Sequence, residues 1–275
     1  MQKKEKTLIF EILLVGLTLV LGIFNAFRSA QFLEIQKVSS TSILHFIAYF
    51  IIGTLLVLLV SSLGDKFKKG KSSFFKIVFV ITAGWGSLVS LSLWMPDSLA
   101  FALTVILLFL WVKRAKVLWH NLTMILGMAG IGGILGLSFD PEAIIFLLVI
   151  FSIYDYIAVY KTKHMVKMAK EMIEAKAIVG LILPKRIKHF WQDLKDVEPG
   201  GKFMILGGGD VIFPLLLCVS VTPLGILKTT VISLFCLAGI VFSFFVFIKK
   251  RKPIPALPPI TLFAVIGYFI IRFLI

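Results

Sequence analysis

The chain has 275 residues, of which 59% are hydrophobic and 16% are charged, and its formal net charge is +15. Soluble globular domains contain about 45–50% apolar and about 25% charged residues, so this composition excludes a soluble enzyme, a disordered chain and a nucleic-acid-binding module. Its two cysteines, Cys218 and Cys236, both lie in apolar sequence, which excludes a disulfide framework and a cysteine-based metal site.

Apolar runs of 15 to 25 residues recur along the whole chain, and such runs can cross a bilayer core of about 30 Å. Because unpaired backbone groups are too costly in lipid, each run is expected to be helical or packed within helices. The pattern predicts an all-α, polytopic membrane protein with nine transmembrane helices. In chain order the predicted spans are 8–26, 43–63, 74–94, 98–112, 121–138, 142–160, 203–222, 229–248 and 258–275.

The nine spans are predicted to form a single membrane domain, residues 1–275. Six spans occupy residues 1–160, a cytoplasmic loop follows at 161–202, and the last three spans occupy 203–275. Within the loop, residues 163–183 mix Met, Ile and Val with Lys and Glu, which is typical of a helix in the membrane interface. We therefore expect an interfacial helix over that range.

Positive charge alternates from one connecting segment to the next. Of the 29 Lys and Arg residues, 25 lie in one set of connecting segments and four in the other. The positive-inside rule therefore places the N-terminus in the cytoplasm and the C-terminus outside the cell, which requires an odd number of spans. The positive charge is thus a topology signal and a match to the anionic lipid bilayer of the cell membrane, not to nucleic acid.

Four ionisable residues lie inside predicted spans, where such residues are functional hypotheses. They are Glu11, His45, Asp155 and Asp210. Glu11 lies about one helical turn from the cytoplasmic end of its span, so we expect it to reach the interface or to pair with N-terminal lysines. His45 has no metal ligands at a suitable spacing and is expected to be an interfacial histidine.

Asp155 and Asp210 are predicted to lie at a similar depth on the cytoplasmic side. Asp155 comes six residues before Lys161, which is about 9 Å along a helix, and Asp210 comes eight residues after Lys202 on a span of opposite direction. No basic residue lies in a span at that depth, so two facing carboxylates would resist double ionisation and share a proton. An aspartic protease uses this arrangement, and a proton- or cation-coupled transporter can also use it.

Glycine and proline surround Asp210. Gly207, Gly208 and Gly209 remove side chains just before it, and Pro214 cannot donate to its carbonyl oxygen. This pattern predicts either an irregular backbone that lines a cavity or a small-residue packing face. Pro253, Pro255, Pro258 and Pro259 likewise predict an irregular segment before the last span, either a plain turn or an extended segment that pairs with a substrate strand.

Three short motifs resemble those of the presenilin and signal-peptide-peptidase family of intramembrane aspartyl proteases. They are Tyr154–Asp155 in span six, Gly207–Gly208–Gly209–Asp210 in span seven, and Pro255–Ala256–Leu257 before span nine. Their order and their common membrane side strengthen the resemblance, and the compact loops are most similar to an archaeal presenilin homologue. Family members commonly have Leu where this chain has Gly208, which puts the substrate preference in doubt.

The resemblance implies roles for these positions. Asp155 and Asp210 would be the catalytic pair, with Tyr154 shaping the site beside Asp155. The glycines before Asp210 would permit close approach, and the segment from Pro255 to Leu257 would support the site and the substrate. The apolar segment 178–183 would be a candidate for self-cleavage.

The resemblance also implies a substrate. It would be a membrane-embedded protein whose N-terminus lies outside, because the inferred orientation is similar to that of presenilin. No cofactor is expected, and a homo-oligomer stays open. Three alternatives stay open at this point: a secondary transporter, a type IV prepilin-type peptidase that also uses a GxGD aspartate, and a membrane scaffold.

Overall fold

The computed structural model describes residues 2–32, 47–48, 51–57, 59–60, 68–162, 164–198, 201–250 and 254–274. Nine labelled helices and two strands occupy these ranges. The helices are α1 (Gln2–Phe32), α2 (Lys68–Ser92), α3 (Asp97–Arg114), α4 (Val117–Ser138), α5 (Pro141–Tyr156), α6 (His164–Glu174), α7 (Gly208–Ser220), α8 (Ile226–Lys250) and α9 (Leu257–Phe273). The strands are β1 (Gly180–Pro184) and β2 (Phe203–Gly207).

Within the described residues, five helices are long and apolar enough to cross a membrane. Their ranges are Lys6–Gln31, Gly70–Ser92, Val117–Ser138, Pro141–Lys161 and Ile226–Lys250, and two shorter apolar helices cover Gly208–Leu224 and Leu257–Phe273. α3 coincides with the predicted fourth span but carries charge at both ends. The predicted second span, 43–63, lies partly outside the described residues, and His45 lies wholly outside them. The count of nine spans therefore stays a prediction.

The core of the protein is built around α4, which packs against α1, α2 and α7. Glycines on α4 allow this crowding: a Cβ on Gly130 would lie 1.9 Å from the carbonyl oxygen of Gly86 in α2. A Cβ on Gly133 would lie 2.9 Å from the carbonyl oxygen of Gly22 in α1. These helices therefore pack backbone to backbone, as small-residue interfaces in membranes do.

The loop before Asp210 contains a β-hairpin, so the expectation of a helix over 163–183 is wrong for its second half. α6 ends at Glu174, and Lys176 has a left-handed φ of 58° that ends the helical path. β1 then pairs antiparallel with β2 in a register that places Gly180 opposite Gly207 and Pro184 opposite Phe203. All five β1 residues are buried. A continuously apolar segment can form such a strand because both of its faces are covered.

The last part of the chain differs from the prediction at two boundaries. The seventh predicted span was expected to be helical from residue 203, but 203–207 form β2 and the helix begins at Gly208. α7 continues through Pro214, which is buried and costs the helix one early hydrogen bond. The segment expected to be irregular already enters α9 at Leu257, because Pro258 and Pro259 fit a first helical turn, where backbone N–H groups have no helical partner.

Candidate active site

Asp155 lies in the last turn of α5, and a short π-helix, Ile157–Lys161, follows it. The residue is 6% exposed, and its Oδ2 accepts a hydrogen bond from the backbone N–H of Leu257 at 3.1 Å. Leu257 is the first residue of α9, and the two prolines after it, Pro258 and Pro259, carry no N–H. The start of α9 therefore directs the Leu257 N–H and the positive end of the helix dipole at Asp155, and the backbone of Ala256 also interacts with this carboxylate.

A second contact joins the same two helices one turn away. The hydroxyls of Ser152 on α5 and Thr261 on α9 lie 2.6 Å apart, and Thr261 also lies 3.4 Å from the carbonyl oxygen of Leu148. Both hydroxyl groups are buried. The start of α9 is thus held against α5 by polar contacts at two levels. These contacts fix the position of the Leu257 N–H that donates to Asp155.

Asp210 lies in the first turn of α7, directly after β2. A Cβ on Gly207, the residue that precedes the helix, would lie 3.0 Å from Oδ2 of Asp210, so the carboxylate folds back over that glycine. The N–H of Gly208 donates to the carbonyl oxygen of Val179 at 3.0 Å, which ties the helix start to the hairpin. Gly209 is exposed, and a Cβ there would make only an ordinary contact with the ring of Phe213.

Ring packing between α5 and α7 brings the two aspartates to the same level. Phe151 and Phe213 have ring centroids 4.5 Å apart. Phe151 precedes Asp155 by about one helical turn, and Phe213 follows Asp210 by about one turn on a helix of opposite direction. The aspartates therefore lie on facing helices on the same side of this ring pair.

The hydroxyl of Tyr154 contacts a neighbouring histidine. It lies 2.9 Å from Nε2 of His164 in α6, and Nδ1 of that histidine lies 2.5 Å from the hydroxyl of Thr162. Burial lowers the pKa of His164, so its neutral ring is favoured. Tyr154 therefore links α5 to α6 beside Asp155.

Glu11 is a third carboxylate near this pair, and the expectation that it reaches the interface is wrong. The residue is 1% exposed, and its Oε2 has no hydrogen-bond partner among the described residues. The charge of Asp210 acts on it. The neighbouring Phe10 packs edge-on against Phe190 with ring centroids 5.4 Å apart, so the chain after β1 covers this end of α1.

Sequence reasoning missed His120 and Asn121, which lie on α4 and contact the hairpin. Asn121 forms two hydrogen bonds with the backbone of Ile182, and His120 contacts the carbonyl oxygen of Gly180. A polar pair at the start of an apolar span is the available sequence signal. Across the described ranges, no three His, Cys, Asp or Glu side chains are grouped so that they could hold a metal ion.

The fold thus brings the carboxyl groups of Asp155 and Asp210 onto facing helices of an apolar, helical protein. The sequence model of the family described as signal-peptide peptidase, presenilin aspartyl protease matches residues 7–275. The chain belongs to this family. It is an integral membrane protein and an intramembrane aspartic endopeptidase. This assignment disfavours the transporter, prepilin-peptidase and scaffold alternatives.

Solved structures agree with this fold. The chain is similar to a presenilin family intramembrane aspartate protease crystallised in space group C222, with a TM-score of 0.67, 21% identity, and coverage of 98% of this chain and 99% of the other. A second structure, in space group P2, gives a TM-score of 0.65, 22% identity and 96% coverage of both chains. No curated protein matches the chain.

Proposed function

We propose that Asp155 and Asp210 are the catalytic pair and that together they hydrolyse a peptide bond within a membrane-embedded substrate segment. The observation that carries this proposal is their opposition across α5 and α7, fixed by the Phe151–Phe213 ring contact. Among the described residues no basic side chain pairs with either acid. Two facing carboxyl groups in such a site share one proton, and this state supplies one base and one acid.

The chemistry needs nothing beyond these two groups and one water molecule. The ionised carboxylate takes a proton from water while the water oxygen attacks the peptide carbonyl carbon, and the protonated carboxyl donates its proton to the carbonyl oxygen. The tetrahedral intermediate then collapses: the carboxyl group that took the proton from water donates it to the amide nitrogen as the C–N bond breaks. The other carboxylate takes a proton from a hydroxyl group of the intermediate, so that a free amine and a new carboxyl group leave and the starting protonation state returns. The Leu257 N–H stabilises the negative charge of Asp155 whenever this carboxyl group is ionised.

The substrate segment must unwind, and the free edge of β2 offers it a partner. The ladder bonds Gly208 N–H to Val179 O and Lys185 N–H to Lys202 O fix the hydrogen-bonding parity of the hairpin. By that parity, the N–H and C=O groups of Ile205 point away from β1, and among the described residues they have no partner. An extended substrate can pair with this edge, which leads directly to Gly207 and Asp210.

The orientation in the membrane is also part of this proposal. The distribution of Lys and Arg supports nine spans with a cytoplasmic N-terminus, and it supports a site near the cytoplasmic side. Because the orientation of the protein in the membrane fixes the direction of β2, it also fixes the direction in which a paired substrate strand runs. Substrates with their N-terminus outside are therefore expected to be cleaved, and substrates of inverted topology are not.

The test is cleavage of a single-span model substrate by the purified full chain, in both substrate orientations. Asp155→Asn and Asp210→Asn should each reduce cleavage by at least about 10²-fold, with unchanged thermal unfolding. Asp140→Asn is the matched control: it makes the same change just before α5, where Asn caps a helix as well as Asp. Equal activity of wild type and either active-site variant would overturn the assignment of the pair.

A further inference from the structure

The outer edge of β1 is closed by a side chain of α4. Nδ2 of Asn121 donates to the carbonyl oxygen of Ile182 at 2.7 Å, and the N–H of Ile182 donates to Oδ1 of Asn121 at 2.9 Å. One amide side chain thus satisfies both backbone groups of one strand residue, as a neighbouring strand would. Asn121 is 1% exposed, so water does not compete for these bonds.

His120 extends the same contact by one more bond. Nε1–H of Trp111 lies 3.3 Å from Nδ1 of His120, and because an indole nitrogen can only donate, Nδ1 accepts. Nε2 then carries the hydrogen and donates it to the carbonyl oxygen of Gly180 at 3.1 Å. Phe79 stacks on the His120 ring with centroids 5.1 Å apart and holds it in place.

The two backbone residues that receive these bonds lie opposite the residues that lead to Asp210. Gly180 pairs with Gly207, and Ile182 pairs with Ile205. The approach is tight at Gly180, where a Cβ would lie 2.3 Å from the carbonyl oxygen of Leu206. The hairpin therefore couples the position of α4 to that of the start of α7. At the Gly180–Gly207 pair the two strands meet without any side chain.

We propose that Asn121 and His120 are positioning residues that fix where the hairpin lies along the axis of α4. The position of the hairpin then decides which peptide bond of the substrate reaches the aspartates. The proposal rests on the proposed function, because it assumes that the substrate lies along β2. Neither residue contacts the aspartates in the described structure. Their effect is on where the substrate backbone lies, so they act on the position of cleavage as well as on its rate.

The test measures the masses of the cleavage products and the hydrogen exchange of segments 180–184 and 203–207 in the full-length protein. Asn121→Ala should accelerate exchange in both strands at least about tenfold and should yield products cut at additional positions. His120→Phe keeps the ring stack but loses the bond to Gly180, so it should give a smaller change of the same kind. It provides a second variant if Asn121→Ala does not fold.

Thr123→Val is the matched control. Thr123 is also buried on α4, but its hydroxyl bonds to the carbonyl oxygen of Trp119 within the same helix, 2.8 Å away. This variant should leave the product masses and strand exchange unchanged. Unaltered products and exchange in both Asn121→Ala and His120→Phe, or the same alteration in Thr123→Val, would overturn the proposal.

The exchange measurement separates this proposal from the assignment of the catalytic pair. Exchange is compared in the Asp210→Asn background as well, where no cleavage is expected. If the wild type shows no aspartate-dependent cleavage, the proposed function fails, while faster exchange in Asn121→Ala still supports the positioning contact. If cleavage depends on both aspartates but exchange and products do not respond to Asn121, only the positioning proposal fails.

Discussion

The backbone N–H of Leu257 donates to Oδ2 of Asp155 at 3.1 Å, so the start of α9 binds the carboxylate that ends α5. The two residues are 102 positions apart in the chain. Pro258 and Pro259 leave Leu257 as the one N–H donor in the first three residues of α9. The proline-rich motif thus directs the Leu257 N–H at the acid and begins a helix abruptly beside it.

Removing this donor should lower activity beyond the effect of losing the buried Leu257 side chain. Leu257→Pro deletes the N–H at the first helical position, where proline is otherwise well tolerated. A hydrogen bond to a charged group contributes about 1.5–3 kcal/mol, so we expect kcat/KM to fall about 10- to 100-fold relative to Leu257→Ala. The measurement is steady-state cleavage of the model substrate.

Leu257→Ala is the control because it truncates the buried side chain but keeps the donor. Proline also disfavours the helical conformation of the preceding Ala256, so thermal unfolding of both variants is measured and the rates are compared at equal folded fractions. Equal activity of the two variants would mean that the Leu257 donor contributes nothing to catalysis.

The glycines before Asp210 differ in what they contact, and this gives a second prediction. Gly207 has an extended backbone, φ −60° and ψ 143°, that alanine adopts without strain. Its added Cβ would lie 3.0 Å from Oδ2 of Asp210 and displace the carboxylate. At Gly209 the added Cβ would meet only ring atoms of Phe213 at 3.6 and 3.7 Å, an ordinary contact.

Gly207→Ala should therefore reduce kcat at least about tenfold, because small displacements of a catalytic group are costly. Gly209→Ala should retain most of the activity of the wild type. Cleavage assays and thermal unfolding of the two variants test the contrast. Should Gly209→Ala be as inactive as Gly207→Ala, the glycines would serve substrate approach or backbone freedom rather than space for the carboxylate.

A common level of the two aspartates was predicted from local helix geometry alone. Counting 1.5 Å per residue from Lys161 and Lys202 needs only helical spans and a known direction. That count fails for Asp210, because residues 203–207 form β2, in which each residue rises about 3.3 Å. The Phe151–Phe213 contact, and not the count, relates the levels of the two acids. The family motifs additionally predicted that the segment from Pro255 to Leu257 lies beside those two acids.

The hairpin was not predictable by the same means. β1 is buried at all five positions, so its sequence is continuously apolar and lacks the alternation that distinguishes a strand from a helix. The bonds of Asn121 to Ile182 join residues 61 positions apart, and only the folded chain brings them together. The burial of Glu11 was missed for a similar reason, since long-range packing of α1, such as the Phe10–Phe190 contact, is not visible in the local sequence.

The free edge of β2 leads to a third prediction. Ile205→Pro removes an outward N–H that has no partner among the described residues, and proline is tolerated at sheet edges for that reason. The hairpin should remain intact, while a substrate strand loses one hydrogen bond worth about 0.5–1.5 kcal/mol. We expect KM to rise about two- to tenfold, measured by cleavage at varied substrate density in detergent or bilayers.

Met204→Pro is the contrasting variant, because the same parity turns the Met204 N–H towards Leu183 inside the hairpin. It should lower thermal stability, whereas Ile205→Pro should not. Ile205→Ala controls for the lost side chain. A KM for Ile205→Pro equal to that of Ile205→Ala would exclude substrate pairing through this N–H.

His189 lies outside the membrane spans, and we expect it to make the stability of the protein depend on pH. Burial lowers the pKa of His189, and the positive charges of Lys202, Lys188, Arg186 and Lys185 lower it further. Its pKa in the folded protein is therefore below the ordinary value near 6.5. As the pH falls through that value, the unfolded chain takes up the proton more readily than the folded chain, so the free energy of unfolding decreases.

His189→Phe should remove this part of the acid sensitivity, because the aromatic ring keeps the contact with Phe203, whose centroid is 5.8 Å away. Thermal unfolding between pH 8 and pH 5 should show a shallower decline for the variant than for the wild type. The lowered pKa of His164 has the same sign, so a residual slope is expected. Added salt should shrink the difference, since it screens the four cations more than it affects burial. Parallel pH profiles of wild type and His189→Phe would show that His189 does not take up a proton on unfolding, and the cation cluster would then have no influence on stability through this residue.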